Sequence, residues 1–319
     1  MNIRAQIICI LFFLFHSNLV FSATAWPDRP VRIIIPWAPG GSTDLVARIL
    51  GSELTKKLKQ QVLIENRAGA GAIVGMQYTA QLPGDGYNFL LTSTGYGFLI
   101  NKANVDLVNS FSSVALIGFG DSALVVNPHF PINTVADLIA LAKKRPGEIM
   151  YSSSGVGGFP HMNTELFKMM AGINLTHIPF KGGGPAVIDT AAGNTQLQIG
   201  SIASVIGQVR AKRLRAIAVG GPKRNSLLPG LPTISESGLP GYQTQIWFGV
   251  FAPKSTPGNL VSSMHEAIID AISTPEIIKR LDEQGAEIEK MTIPQFSKLM
   301  ESEQEKWSKV IKQANIKGE

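Results

Sequence analysis

Strand-like and helix-like stretches alternate along most of this 319-residue chain. "VRIIIP" (31–36), rich in β-branched residues, is a strand candidate. Residues 42–60 then place Leu45, Val46, Ile49, Leu50, Leu54 and Leu58 at helical spacing. "VLIEN" (62–66) reads as a strand and "AIVGMQYTAQL" (72–82) as a short helix. The turn "PGDG" (83–86) leads to a third strand, "YNFLLTST" (87–94). A second series follows: strand 149–155, helix 162–172, strand 174–180, helix 184–194, then strand, helix and strand over 195–221. This order predicts an α/β fold with a mostly parallel sheet covered by helices, arranged as two lobes.

Two further strands are expected between the lobes, "SALVVN" (122–127) and "IWFGVFAP" (246–253). The helices after them have no sheet of their own and are expected to return to the first lobe. In one of them Thr274, Pro275 and Glu276 read as a helix start with Thr as N-cap. The predicted domains are 26–124 with 248–319, and 125–247. Two chain crossings between them make a hinge with an interdomain cleft.

Residues 1–25 read as a secretory leader. Arg4 supplies the positive end, 7–15 is apolar, and Ala23-Thr24-Ala25 matches a cleavage site near Ala25. The apolar run is shorter than the roughly 20 residues of a membrane span. Cys9, the single cysteine, lies inside it. A mature chain from Trp26 would contain none, which excludes disulfides, thiolate metal sites and cysteine nucleophiles. Net charge is +6, or +5 without Arg4. The cations are scattered, and "KK" (143–144) and "KRLR" (212–215) have no interleaved aromatics. This argues against nucleic acid as partner, while a mild positive bias suits a small anion.

"PWAPGGSTD" (36–44) lies where the first strand hands over to a helix. The first N–H groups of a helix lack internal partners and carry the positive end of its dipole, so an anion is favoured there. Gly40 and Gly41 let the backbone approach a ligand closely and adopt φ > 0, and Ser42, Thr43 or Asp44 can cap the helix. An ordinary capped turn fits the same residues. "SSSGVGGFPH" (152–161) occupies the matching place in the second lobe, which strengthens the anion reading. "FKGGGPA" (180–186) adds a third Gly-rich helix start with Lys181. "NRAGAGAIVG" (66–75) resembles a dinucleotide fingerprint, but its spacing and place favour a turn feeding a closely packed helix. No nucleophile elbow or zinc-binding helix motif occurs, so no cofactor, metal or catalytic residue is assigned. The enzymatic alternative is a secreted hydrolase using Ser42 or Ser154 with His161.

These stretches, with "HIPFKGGGPA", "RLRAIAV" and "LPTISESGLPGYQTQIWFGVFAP", resemble the tripartite tricarboxylate transporter receptors, also called Bug solute-binding proteins. The resemblance spans the mature chain. It implies a type II periplasmic binding fold, residence in the periplasm and a monomer that closes on a small organic carboxylate. The captured ligand would pass to an inner-membrane permease, or the closed form would signal to a sensor kinase. Carried onto this chain, the ligand-binding residues are Pro39, Gly40, Gly41, Ser42, Thr43 and Asp44 in the first loop. Ser153, Ser154, Gly155 and His161 form the second. Thr92, Ser93 and Thr94 line the cleft, Lys181 and Gly182 follow Phe180, and Trp247 and Phe248 lie near the hinge. Gly200 and Ser201 are small and uncharged where many relatives carry an acidic residue and an asparagine. This favours a plain mono- or dicarboxylate, or an aromatic acid, over an amino acid.

Overall fold

The computed structural model describes residues 26–100, 103–313 and 316; the expected leader lies outside them. Strand β1 (Val31–Ile35) lies inside the sheet of the first lobe, one strand in from its edge. It pairs in parallel with β2 (Val62–Asn66) on one side and β3 (Asn88–Ser93) on the other. Val31, Ile33, Ile34 and Ile35 have no exposed surface. A largely β-branched run of this kind, interrupted by the half-buried Arg32, suits a parallel strand covered on both faces. The covering helices are α1 (Ser42–Leu58) and α2 (Ile73–Ala80). Gly75 lets α2 lie against the sheet, since a Cβ there would come within 2.6 Å of the Pro36 Cα.

After the short helix α3 (Gly97–Ile100) comes β4 (Phe111–Val126), a 16-residue strand. It begins well before the expected 122–127. The serines and glycines in "FSSVALIGFGD" weaken its strand signal. Those glycines admit a three-residue strand, β10 (Ala286–Ile288); a Cβ on Gly118 would sit 2.0 Å from the Glu287 carbonyl oxygen.

The second lobe contains α4 (Val135–Lys144), β5 (Met150–Ser153), α5 (Phe159–Ala171) and β6 (Thr176–Pro179). It continues with α6 (Gly183–Ala192), β7 (Leu197–Ser201), α7 (Ile202–Arg210) and β8 (Arg215–Val219). Strand β9 (Gln245–Pro253) brings the chain back and pairs antiparallel with both β3 and β4. Residues 111–121 of β4 pair with β9 across the first lobe. Its last five residues, 122–126, pair with β7, and 123–126 also pair with β8 on the other side. One strand therefore serves both lobes.

Three helices end the described chain: α8 (Gly258–Ala271), α9 (Pro275–Asp282) and α10 (Ile293–Gln313). Met264, Ile277, Phe296 and Trp307 from them join Ile33, Phe89 and Phe251 in the core of the first lobe. Truncating a buried phenylalanine such as Phe296 to alanine costs roughly 3–5 kcal/mol. Thr274 precedes α9 as expected, but its hydroxyl donates back to the Ala271 carbonyl and makes no capping bond.

The second lobe has a core on each face of its sheet. Tyr151, Phe167 and Tyr242 fill one, and Val125, Val187 and Val205 fill the other. Leu124 and Ala123 belong to these cores, whereas Ile246 and Trp247 pack in the first lobe.

Candidate functional site: an uncharged cavity ringed by helix starts

Every parallel strand delivers its C-terminal end to the same side of the sheet, and the helix that follows starts there. Four helix N-termini converge between the lobes as a result. They belong to α1 (N-cap Gly41), α5 (Gly158), α6 (Gly182) and α7 (Ser201), and in none does the N-cap side chain bond a helix amide. They surround a cavity of about 30 Å³. Its lining is Trp37, Gly41, Ser42, Thr43, Ser93, Thr94, Ser154, Phe159, Pro160, Gly183, Ser201, Ser204 and Ile246. No charged side chain is among them. Polarity comes from hydroxyls and from helix amides, which favour an anion through the dipole and their unpaired N–H groups.

The first loop is braced from behind. Asp44, almost fully buried, accepts from the Gly40 amide (3.0 Å), from Arg48 through both of its oxygens (3.0 Å each) and from Asn66 Nδ2 (2.9 Å). Burial alone would raise its pKa; the bonds from Arg48, Gly40 and Asn66 outweigh it and hold the carboxyl below the usual range. Asn66 Nδ2 also donates to the Trp37 carbonyl. Asp44 therefore stays ionised and faces the loop, without lining the cavity. Thr43 shares a hydrogen bond with Ser93 at 2.8 Å, and Trp37 Nε1 donates to Thr92 Oγ1 at 3.3 Å. Thr94 bonds the Trp247 backbone through both its amide and its hydroxyl.

Side chains from three elements brace the second loop. Ser153 is fully buried; its hydroxyl accepts from the Gly155 amide and shares a hydrogen bond with His177 Nε2. His161 Nδ1 accepts from the Gly157 amide at 3.1 Å, and its ring stacks on His177 with centroids 4.2 Å apart. Tyr151 stacks on the other side of His177 at 4.9 Å. Burial, and for His161 the nearby Lys168, pushes the His161 pKa down to about 4. Burial first and His161 second push His177 down to about 3. Both rings are neutral at pH 7, which leaves His161 Nδ1 free to accept.

The hydrolase arrangement is absent among the described residues. His161 is engaged by Gly157, and the hydroxyl that does meet a histidine belongs to the inaccessible Ser153 rather than to Ser42 or Ser154.

Of the sequence-predicted residues, Gly41, Ser42, Thr43, Ser93, Thr94, Ser154 and Ser201 line the cavity. Pro39, Gly40, Asp44, Thr92, Ser153, Gly155, His161 and Gly200 stand behind or beside it. Trp247 and Phe248 are buried in the first core, and Ile246 lines the cavity instead. The Lys181 side chain is exposed, and its contribution is its carbonyl, which accepts the Ala38 amide across the lobes at 3.1 Å. Sequence reasoning missed Trp37, Phe159, Pro160, Gly183, Ser204 and Ile246. Ser204 was within reach: it follows Ser201 by three residues, one helical turn on the same face.

The lobes touch glycine to backbone. The Tyr96 amide donates to the Gly157 carbonyl at 2.8 Å, and Gly95 bridges Gly158. A Cβ on Gly71 would come within 2.1 Å of the Val156 carbonyl oxygen, one on Gly157 within 2.3 Å of the Gly97 nitrogen, and one on Gly184 within 2.4 Å of the Pro39 carbonyl oxygen. The fingerprint-like "NRAGAGAIVG" thus supplies a glycine to the interlobe seam.

Comparison with known sequences agrees with this geometry. Residues 46–316 match the family model described as the tripartite tricarboxylate transporter family receptor. The chain belongs to this receptor family. BugT of Bordetella pertussis is 32% identical over 301 residues, which are 93% of this chain and 92% of that protein. Rpa4515 of R. palustris, solved with adipate, is 34% identical with a TM-score of 0.87, covering 92% of this chain and 99% of that one. MatC of Rhodopseudomonas palustris, solved with malate, is 26% identical with a TM-score of 0.86, covering 90% and 100%. The type II binding-protein fold expected for a tricarboxylate transporter receptor is the fold of this chain. The receptor family is one of binding proteins, and this chain is a binding protein and not an enzyme.

Proposed function

We propose that this receptor is exported to the periplasm, captures a small organic carboxylate between its lobes and delivers it to a membrane permease. The observation that carries the reading is the ring of four uncapped helix N-termini around a hydroxyl-lined cavity without a charged side chain. The carboxylates held by Rpa4515 and MatC support it. Micromolar capture corresponds to about 8 kcal/mol. The dipole term supplies about 0.3–1 kcal/mol per helix end, so charge-assisted hydrogen bonds at roughly 1.5–3 kcal/mol each must supply most of the remainder. Neutral donors suit a transport receptor, since their capacity to bind does not change with their own titration.

The same reading takes the lobes as domains that open about β4 and β9. Packing of Ala123 and Leu124 with one lobe, and of Ile246 and Trp247 with the other, supports crossings near Asp121 and Thr244. These lie slightly before the 124/125 and 247/248 boundaries expected from sequence.

The test is a thermal-shift panel of C3–C8 mono-, di- and tricarboxylates, aromatic acids, amino acids and neutral sugars, followed by calorimetry on the best hit. At least one acid should raise the melting temperature and the sugars should not. Stabilisation by a sugar and by no acid would overturn the proposal.

A further inference from the structure

Tyr96 belongs to both the interlobe seam and the C-terminal helix. Its amide donates to the Gly157 carbonyl of the second lobe at 2.8 Å. Its hydroxyl donates to Glu303 Oε2 on α10 at 2.9 Å. The ring stacks on Trp307 with centroids 5.2 Å apart, and Trp307 Nε1 donates to the same Glu303 oxygen at 3.1 Å. Lys306 holds the other carboxylate oxygen at 3.3 Å. Tyr96 is 1% exposed and Trp307 7%. Burial, and then the Glu303 carboxylate, raises the Tyr96 hydroxyl well above the usual phenol range, so it stays a neutral donor.

The backbone around Tyr96 has little stiffness of its own, because Gly95 and Gly97 flank it. Both glycines take part in the seam: Gly95 bridges Gly158, and Gly97 lies where a Cβ on Gly157 would fall. The anchored ring adds a side-chain tie to the backbone bonds that hold this strip, from Thr94 to Trp247 and from the Leu99 and Ile100 amides to the Tyr96 carbonyl. Neither Glu303 nor Trp307 lines the cavity between the lobes. Glu303 and Trp307 instead line a separate 190 Å³ space behind the hinge, together with Thr244, Gln245 and Trp247 of the returning chain.

We propose that Glu303 and Trp307 are positioning residues for ligand capture. Through the Tyr96 ring they hold residues 95–97 in the register that Gly157 and Gly158 meet when the lobes close. The C-terminal helix thereby sets how long the closed form lasts, without touching the ligand. This inference rests on the carboxylate-binding reading.

The test uses the mature full-length chain, with whichever of adipate and malate raises its melting temperature as the probe. Glu303→Ala and Tyr96→Phe should each weaken probe binding about tenfold, mainly through faster release. The double variant should bind no worse than the weaker single one, and Glu303→Gln, which keeps an accepting oxygen, should restore most of the affinity. Unchanged affinity in Glu303→Ala with a lowered melting temperature would show a purely structural role and overturn the inference; so would additive losses in the double variant. Should neither acid bind, the best carboxylate of the thermal-shift panel serves as the probe; should no acid in that panel bind, the carboxylate reading fails by itself. Hydrogen exchange at the Tyr96 amide of the unliganded protein then decides this one: faster exchange in Glu303→Ala supports it, and an unchanged rate sinks it.

Discussion

The helix starts at the cleft and those on the periphery satisfy their amides differently. Outside, α4 opens with a full capping box: the Thr134 hydroxyl accepts from the Asp137 amide, and the Asp137 carboxylate accepts from the Thr134 amide. Helix α10 repeats it with Thr292 and Gln295. At the cleft, three of the four N-caps are glycines, and Ser201 directs its hydroxyl at Ser204. A side-chain cap is worth about 1 kcal/mol to its helix. With glycine as the cap the loss is only a few tenths of a kcal/mol, so the cleft helices give up little stability while their first amides stay open to an anion. Absence of a cap is not sufficient on its own, since α8 and α9 also lack one. Convergence of several bare ends on one cavity is the distinguishing feature.

The most severe way to break this contrast is to install a cap at the cleft. Gly41 has φ −83°, which any residue adopts, and a Cβ there meets only ordinary contacts. Gly41→Asp should leave the unliganded protein as stable or slightly more so, while its carboxylate competes with the ligand and lowers affinity more than a thousandfold. Melting curves beside calorimetry would check both halves; retained affinity would show that these amides do not hold the anion. Gly157→Ala acts on the seam instead. Its φ of +77° disfavours an L side chain, and the added methyl collides with Gly97. Affinity should fall about a hundredfold as the lobes fail to close, and solution scattering with ligand should retain the open profile.

The next effect is on stability. His161 and His177 have folded-state pKa values near 4 and 3, below the 6.5 of an unfolded histidine. The unfolded chain therefore binds more protons as pH falls from about 6.5 toward 4. The contribution is complete above pH 6.5 and is lost progressively through that window, at up to ~1.4 kcal/mol per pH unit for each ring. Urea unfolding at pH 7 and pH 5 should show the loss, and His177→Asn should reduce its slope. The mildest expectation lies on the periphery. Thr134→Ala should cost about 1 kcal/mol of stability and leave carboxylate affinity unchanged, which paired urea melts and titrations would verify. A change in affinity there would erase the distinction between the two kinds of helix start.

Much of this is legible in the sequence. The β-branched run of β1, the helical spacing in α1 and the Gly/Ser loops after β1 and β5 announced an α/β chain with helix starts kept open. Short local patterns dictate such features, so they survive in one dimension. Residues 111–121 of β4 were silent because Gly118 and Gly120 answer to a partner strand far along the chain. The cavity lining was only partly readable. Ile246 in place of Trp247 depends on which face of β9 turns inward, and period-two alternation alone does not select a face when both are apolar; Phe248 shares the Ile246 face but lies two residues further into the core of the first lobe.

The sequence by itself determined the fold class, the family and the absence of thiol chemistry after residue 25. Tertiary structure decided which groups line the cavity and which brace the loops around it: Asp44, His161 and Ser153 look like cavity-lining groups in the sequence and bond the loop backbone in space. The physical reason is that a side chain's role follows from what its polar atoms meet, and those partners lie from 2 to 207 residues away. Glycine carries the same lesson. A missing Cβ matters at Gly71 or Gly157 only because a backbone from the other lobe occupies the space it leaves.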